Sequence, residues 1–149
     1  MQRTLVLIKP DAVQRELIGE ILHRFERKGL KIAGLKLIKL NETILAEHYA
    51  HHVEKPFYKD LEAFMMETPV VAVVLEGIDV IAEVRKIVGS TNPLQADAGT
   101  IRADLSMSIN GNVVHASDSI ETAAVEIKRF FAEDEVFSYE KLTDTYLMR

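Results

Sequence analysis

The sequence contains no cysteine. A disulfide framework, a thiolate zinc site and a cysteine nucleophile are therefore excluded. Aromatic residues make up only 7% of the chain, and positive charge is in deficit: 18 Lys and Arg against 23 Asp and Glu give a formal net charge of -5. This balance argues against non-specific binding to DNA or an anionic membrane. A nucleic-acid-binding sheet would want exposed aromatics interleaved with basic residues, so nucleic acid is not expected as the main partner. Near the N-terminus the apolar run Leu5-Val6-Leu7-Ile8 is too short for a signal-peptide core. No stretch approaches the ~20 apolar residues that span a bilayer. The expectation is a soluble, cytoplasmic protein with no membrane partner. No P-loop pattern, no G-x-G-x-x-G, no internal repeat and no low-complexity tract occurs. Without a linker to divide it, the chain reads as one domain over residues 1–149.

What is present is an ordinary globular composition, 48% hydrophobic and 28% charged. A chain of this length folds to a surface of ~7,700 Å² and buries about two-thirds of what it exposes unfolded. Arg3 to Lys9 reads as a buried strand ended by Pro10-Asp11. Leu17, Ile18, Ile21, Leu22 and Phe25 form one helical stripe, closed by Gly29. Lys31 to Leu40 reads as a second strand. Asn41 to Phe64 reads as one or two helices interrupted near Pro56. Val70 to Leu75 is a third strand, apolar throughout and closed by Gly77. Val80, Ile81, Val84, Ile87 and Val88 make another helical stripe. Ser90 to Ile101 has no period and reads as a long loop, a feature usually tied to function in a compact domain. Asn112 to His115 is a short strand, Ile120 to Phe131 a helix, and the tail from Ala132 has weak pattern. This order fits an α+β, ferredoxin-like α/β sandwich: a four-stranded, mainly antiparallel sheet with helices on one face. A doubly wound parallel sheet is the alternative, and periodicity does not separate the two.

The strongest chemical cluster is Asn112-Val113-Val114-His115-Ala116-Ser117-Asp118-Ser119. A histidine ends a short apolar strand just before a helix whose N-cap is Asp118 or Ser119. A helix N-terminus favours anions, so His115 could be a nucleophile or base there, but for a lone histidine a turn facing solvent is the preferred reading. Glu126 lies two turns into that helix and can lean back toward His115, yet taken alone it reads first as a solvated flank. Lys9 ends a buried strand, where packing does not call for a lysine. Arg85 and Arg102 bracket a loop carrying Thr91, Asn92 and Thr100, which together could hold phosphate without a P-loop. His48, His51 and His52 cluster, and His48 and His52 have the i, i+4 spacing of a zinc pair, but no carboxylate signature accompanies them, and a solvated helix face is the preferred reading.

The cluster around His115 resembles the active-site signature of nucleoside diphosphate kinases. Lys9-Pro10-Asp11, Gly89-Ser90-Thr91-Asn92-Pro93, Gly99-Thr100-Ile101-Arg102, and Tyr49 followed by Phe57 resemble further motifs of that family, in order and from end to end of the chain. The resemblance implies a ferredoxin-like sandwich. It also implies transfer of a γ-phosphate from a nucleoside triphosphate to a diphosphate, ribo or deoxyribo, by a ping-pong route through phosphorylated His115. Glu126, helped by Ser117, would orient the imidazole. Lys9, Tyr49, Arg85, Thr91, Arg102 and Asn112 would hold phosphates and ribose. Phe57 and Ile109, with Leu61 nearby, would clamp the base without selecting it. Mg²⁺ would ride on the substrate phosphates, with Asp118 at most a water-mediated contact. The family implies a homo-oligomer, and Pro93 with the apolar residues of the tail favours a hexamer over a tetramer. Ala98, Ala103 and Ala116 depart from the family's frequent Pro, Gly and Gly. A non-catalytic nucleotide-binding module of the same fold is the competing reading.

Overall fold

The computed structural model describes residues 1–149. Two apolar segments decide the architecture. Leu5 to Ile8 and Val70 to Leu75 leave no polar face, so strands built from them must be covered on both sides. They form β1 (Gln2–Ile8) and β3 (Val70–Gly77), the two central strands. With β2 (Lys31–Ile38) and β4 (Val114–Ala116) they make one sheet in the order β2-β3-β1-β4. Every neighbouring pair is antiparallel, which excludes the doubly wound alternative.

Side chains alternate along a strand, so each central strand feeds two cores. Val6, Ile8, Val73 and Leu75 pack with Ile21 and Phe25 of α2 (Ile18–Lys28) and Val84 and Val88 of α5 (Val80–Val88). Leu5, Leu7, Ala72 and Val74 pack with Leu45 of α3 (Glu42–His48), Met65 of α4 (Tyr58–Met66) and Phe130 of α7 (Ile120–Phe130). Helices therefore cover both faces of the sheet, not one as expected.

Local signals set the helix ends. Gly29 caps α2 at φ 100°, a left-handed conformation. Asn41 caps α3 by accepting from Ile44 N, and Ser119 rather than Asp118 caps α7 by accepting from Thr122 N. The Asn41–Phe64 stretch resolves into two helices separated by turns around Pro56. Two short helices were not expected: α1 (Pro10–Gln14), started by its proline, and α6 (Ile101–Leu105), which ends the long loop. A last short helix, α8 (Asp144–Leu147), lies in the tail. No helix is long and apolar enough to cross a membrane.

The molecular surface is 8450 Å², larger than the ~7,700 Å² that a compact monomer of this mass presents. The tail contributes apolar surface through Phe137, Leu142 and Tyr146, all strongly exposed. The edge strand β2, where Phe137 N donates to Ala33 O and Tyr139 Oη to Ile32 O, exposes Leu35 and Leu37.

Candidate active site

The pairing of β1 with β4 sets Leu7 opposite His115 and Ile8 opposite Val114. Just before β4 the chain turns through Val113, whose φ is 61°. Val114 N donates to Asn112 O at 2.7 Å, closing a tight three-residue turn around it. This is a strained conformation for a β-branched residue, costing ~1–3 kcal/mol. Three contacts hold it: Lys9 N donates to Val113 O at 2.9 Å, Val113 N donates to Asp11 Oδ2 at 3.1 Å, and Val113 is fully buried. The turn aims Asn112 at the end of β1, where Lys9 Nζ donates to Asn112 Oδ1 at 2.8 Å. Asn112 Nδ2 in turn donates to Thr91 O at 3.1 Å, tying the long loop to the same point.

Arg102, on α6, is buried and donates to three carbonyls: Gly89 O at 3.0 Å, Asn112 O at 3.2 Å and Val114 O at 2.7 Å. A guanidinium has five N–H donors, so two remain for a ligand. Gly89 lies at φ 88°, and a Cβ there would meet Thr100 Oγ1 at 2.5 Å. Glycine is what lets the loop close over α5. Arg85 is exposed and makes one long bond, 3.3 Å to Ala116 O, leaving its head free for the cleft.

His115 Nε2 lies 2.7 Å from Glu126 Oε2. Ser117 Oγ donates to Glu126 Oε1 at 2.6 Å. Glu126 and Ser117 are both buried, which overturns the solvated-flank reading of Glu126. A carboxylate there accepts, so the His115 proton sits on Nε2 and Nδ1 presents its lone pair. Burial opposes ionisation of Glu126, but hydrogen bonds from His115 and Ser117 outweigh it and hold its pKa below the ordinary value. Lys9 is pushed down to about 8, by burial first and Arg102 second. Arg102 is lowered to about 10 by burial and the neighbouring Arg85, so both stay cationic at neutral pH. Burial raises Tyr49 to about 12, which keeps its hydroxyl protonated.

Lys9, Tyr49, Phe57, Leu61, Arg85, Thr91, Arg102, Ile109, Asn112, His115 and Glu126 line one cleft of about 1090 Å³. Ser117 lies behind it, beneath Glu126. At one end stand the cations and His115; at the other Phe57 and Ile109 are half exposed. The arrangement can bind an anion beside a nucleophilic imidazole nitrogen and seat a flat ring at the mouth.

The histidine cluster requires a correction. His48 is buried, not solvated, and its Nδ1 lies 3.3 Å from Glu126 Oε2. Its ring stands edge-on to His115 with centroids 4.7 Å apart. Burial, then the nearness of His115, pushes its pKa down to about 3. Its spacing from Leu45, three residues earlier on the buried side of α3, was the available signal. His51 is exposed, and the side chains that do come together are His48, His115 and Glu126 rather than a histidine pair on one helix. Arg129, one turn beyond Glu126 and beside His48, had no sequence signal.

The family profile "Nucleoside diphosphate kinase" matches residues 2–136. A nucleoside diphosphate kinase of Thermomicrobium roseum is 52% identical over 148 residues, 99% of each chain. A crystal structure of a nucleoside diphosphate kinase family protein from Babesia bovis superposes with TM-score 0.95 at 43% identity, covering 99% of each chain. A halophilic nucleoside diphosphate kinase from Halobacterium salinarum, solved in complex with CDP, superposes with TM-score 0.95 at 40% identity, covering 98% of this chain and 97% of that one.

Proposed function

The chain belongs to the nucleoside diphosphate kinase family and is a phosphotransferase of that class, and from that premise we propose that it works by a ping-pong route through phosphorylated His115. The observation that carries this reading is the His115–Glu126–Ser117 chain at 2.7 and 2.6 Å, which ties up Nε2 and leaves Nδ1 free toward the cleft. Nδ1 attacks the γ-phosphorus of a bound triphosphate. The N–P bond forms as the bond to the β,γ-bridging oxygen breaks, and the diphosphate leaves with that oxygen and its charge. A second diphosphate then attacks with a terminal oxygen, the N–P bond breaks, and the imidazole is regenerated. Phosphoryl transfer asks the protein mainly for positioning and charge neutralisation. Lys9, Arg85 and Arg102 supply the charge; Asn112, Thr91 and Tyr49 position phosphates and ribose. Glu126 offsets the positive charge that develops on the ring.

Phe57 and Ile109, with Leu61, hold the base by stacking and apolar contact. That grip does not read base edges, so nucleotides of every base are substrates. The phosphate end of the cleft presents three cations and no cage of buried carboxylates. A divalent cation such as Mg²⁺ would be held mainly by the substrate phosphates, with exposed Asp118 at most a water-mediated contact, and would supply shielding of phosphate charge.

Incubation with radiolabelled ATP tests the route. The protein should acquire an acid-labile, base-stable label that a diphosphate chases off, and His115→Ala should lose it while remaining folded. Label retained by His115→Ala refutes the assignment.

The chain works as one domain over 1–149, and a homohexamer suits the surface. Exposed Leu35 and Leu37 on the edge strand β2, and Phe137, Leu142 and Tyr146 in the tail, are apolar groups that closed symmetry would cover. Light scattering should give about 101 kDa, six times the 16.8 kDa chain. A mass near four times the chain refutes the hexamer.

A further inference from the structure

The phosphohistidine reading leaves one buried cation unused, and the inference drawn from it rests on that reading. Arg129 lies three residues beyond Glu126 on α7, with its side chain 11% exposed. Its Nη1 is 3.0 Å from His48 Nδ1. A guanidinium only donates, so at this distance Nδ1 must accept, and the proton of a neutral His48 is placed on Nε2. The ring cannot swing away from the contact. It is buried, with the rings of Tyr49, His115 and Phe130 at centroid distances of 4.7, 4.7 and 5.2 Å.

The tautomer matters because of what else Nδ1 faces. Glu126 Oε2, the oxygen that His115 Nε2 contacts at 2.7 Å, is 3.3 Å from His48 Nδ1. With its proton on Nδ1, His48 would compete with His115 for that oxygen. No group pairs with His48 Nε2, which is buried without a partner. Nothing on that side selects the tautomer, so selection falls to the two groups at Nδ1. The charged and titratable neighbours from each packed element are Lys9 at the end of β1, Glu47 and Tyr49 around the end of α3, His115 on β4, and Glu126 and Arg129 on α7. Of these, only Arg129 donates to His48 Nδ1.

We propose that Arg129 is a positioning residue: by donating to His48 Nδ1 it keeps the His48 proton on Nε2, and so reserves Glu126 Oε2 for His115. What this requires of the side chain is an N–H donor that reaches His48 Nδ1.

Nitrogen-edited NMR of the ring nitrogens in the whole protein, alongside rapid-quench phosphorylation by ATP, tests it. In the wild type His48 should show the Nε2–H tautomer. Arg129→Met should move it to Nδ1–H and slow phosphorylation of His115 about tenfold at saturating ATP, the low end of what removing an outer partner costs at metal-bound histidines. Arg129→Lys keeps an N–H donor only one bond short of Nη1 and should retain both tautomer and rate. In a His48→Phe background, Arg129→Met should have no further effect. The proposal is overturned by an Nδ1–H tautomer in the wild type, by equal slowing in the Met and Lys variants, or by a Met effect that persists without His48. Absence of acid-labile phosphate on wild-type His115 would instead refute the phosphohistidine reading, and the NMR tautomers would still decide whether Arg129 sets the state of His48.

Discussion

Glu126→Gln and Glu126→Ala separate orientation of the nucleophile from binding of the substrate. The carboxylate contacts His115 at 2.7 Å and Ser117 at 2.6 Å. A hydrogen bond to a charged group is worth ~1.5–3 kcal/mol net, against ~0.5–1.5 kcal/mol for a neutral pair. Attack by Nδ1 puts positive charge on the imidazole, so the bond to Glu126 strengthens as the transition state forms. Losing it entirely in the alanine variant should slow phosphorylation of His115 about 10- to 150-fold. Glutamine keeps the volume and one accepting oxygen but no charge, so its loss should be about tenfold or less. Binding should hardly change. Glu126 is 4% exposed and sits behind the imidazole, whereas the cations and the base clamp belong to other elements. The assay is rapid-quench labelling across a range of ATP concentrations, which separates the saturating rate from the concentration giving half of it. The reasoning fails if either variant weakens ATP binding while phosphorylating at the wild-type rate, or if Glu126→Gln matches wild type in both.

The remaining predictions concern pH and base choice. Lys9, depressed to about 8, is cationic at neutral pH and loses its proton above that value, so ADP affinity should fall by up to tenfold per pH unit above about 8. Calorimetric titration between pH 7 and 9.5 checks this, and a flat profile contradicts it; Lys9→Met should bind weakly and without that dependence. His48 is held at about 3 in the fold against an ordinary 6.5, so the unfolded chain binds the extra proton between those values. Its contribution to stability is therefore fully present above pH 6.5 and is lost as the pH falls toward 3. Glu126, also depressed, loses stability in the same direction at the lower end of that window. Chemical denaturation at pH 7 and pH 4.5 should show His48→Phe losing less stability than wild type between the two, and equal losses would exclude the assignment. ADP, GDP, CDP and UDP should be accepted with specificity constants within about two orders of magnitude, because stacking is worth ~1–3 kcal/mol and tolerates any base. A wider spread in a coupled kinetic assay would require base-edge hydrogen bonds to one ring.

Much of this was readable from local residue types. The apolar runs at Leu5 to Ile8 and Val70 to Leu75 announce central strands, and Gly29 announces the end of α2. The same runs carried the information that helices lie on both faces, since neither strand has a polar side to offer water. The helical stripes alone did not say on which face each helix lands, because that depends on connections over many residues. Short elements escaped for another reason. α1 and α6 have five residues each, too few for a period, and they are fixed by Pro10 and by the Thr100 cap. At the site, the cleft-lining residues around His115 and the long loop lay in motifs, whereas His48 and Arg129 behind them did not. Asp11 lay in a motif too, but its bond to Val113 N is visible only in the structure, as is the burial of His48 beside Glu126.

The register between β1 and β4 joins fold to chemistry. Leu7 belongs to the core beneath α3, α4 and α7, and its partner across the ladder is His115. Val6 and Ile8 belong to the other core, with Ala116 and Val114 as partners. Successive side chains on a strand point to opposite faces, so a slip of one residue would carry His115 away from Glu126 and His48 and onto the side of α5. β4 has only three residues, too few for its own pattern to fix that register. The strained turn at Val113 supplies the missing restraint: Lys9 N holds Val113 O and Asp11 holds Val113 N, one residue before the ladder begins. The same turn places Asn112 against Lys9, so what faces His115 toward Glu126 also assembles the cationic end of the cleft. A substitution that relaxes the turn, such as Asp11→Ala, therefore acts on both halves of the site although Asp11 touches neither His115 nor Glu126.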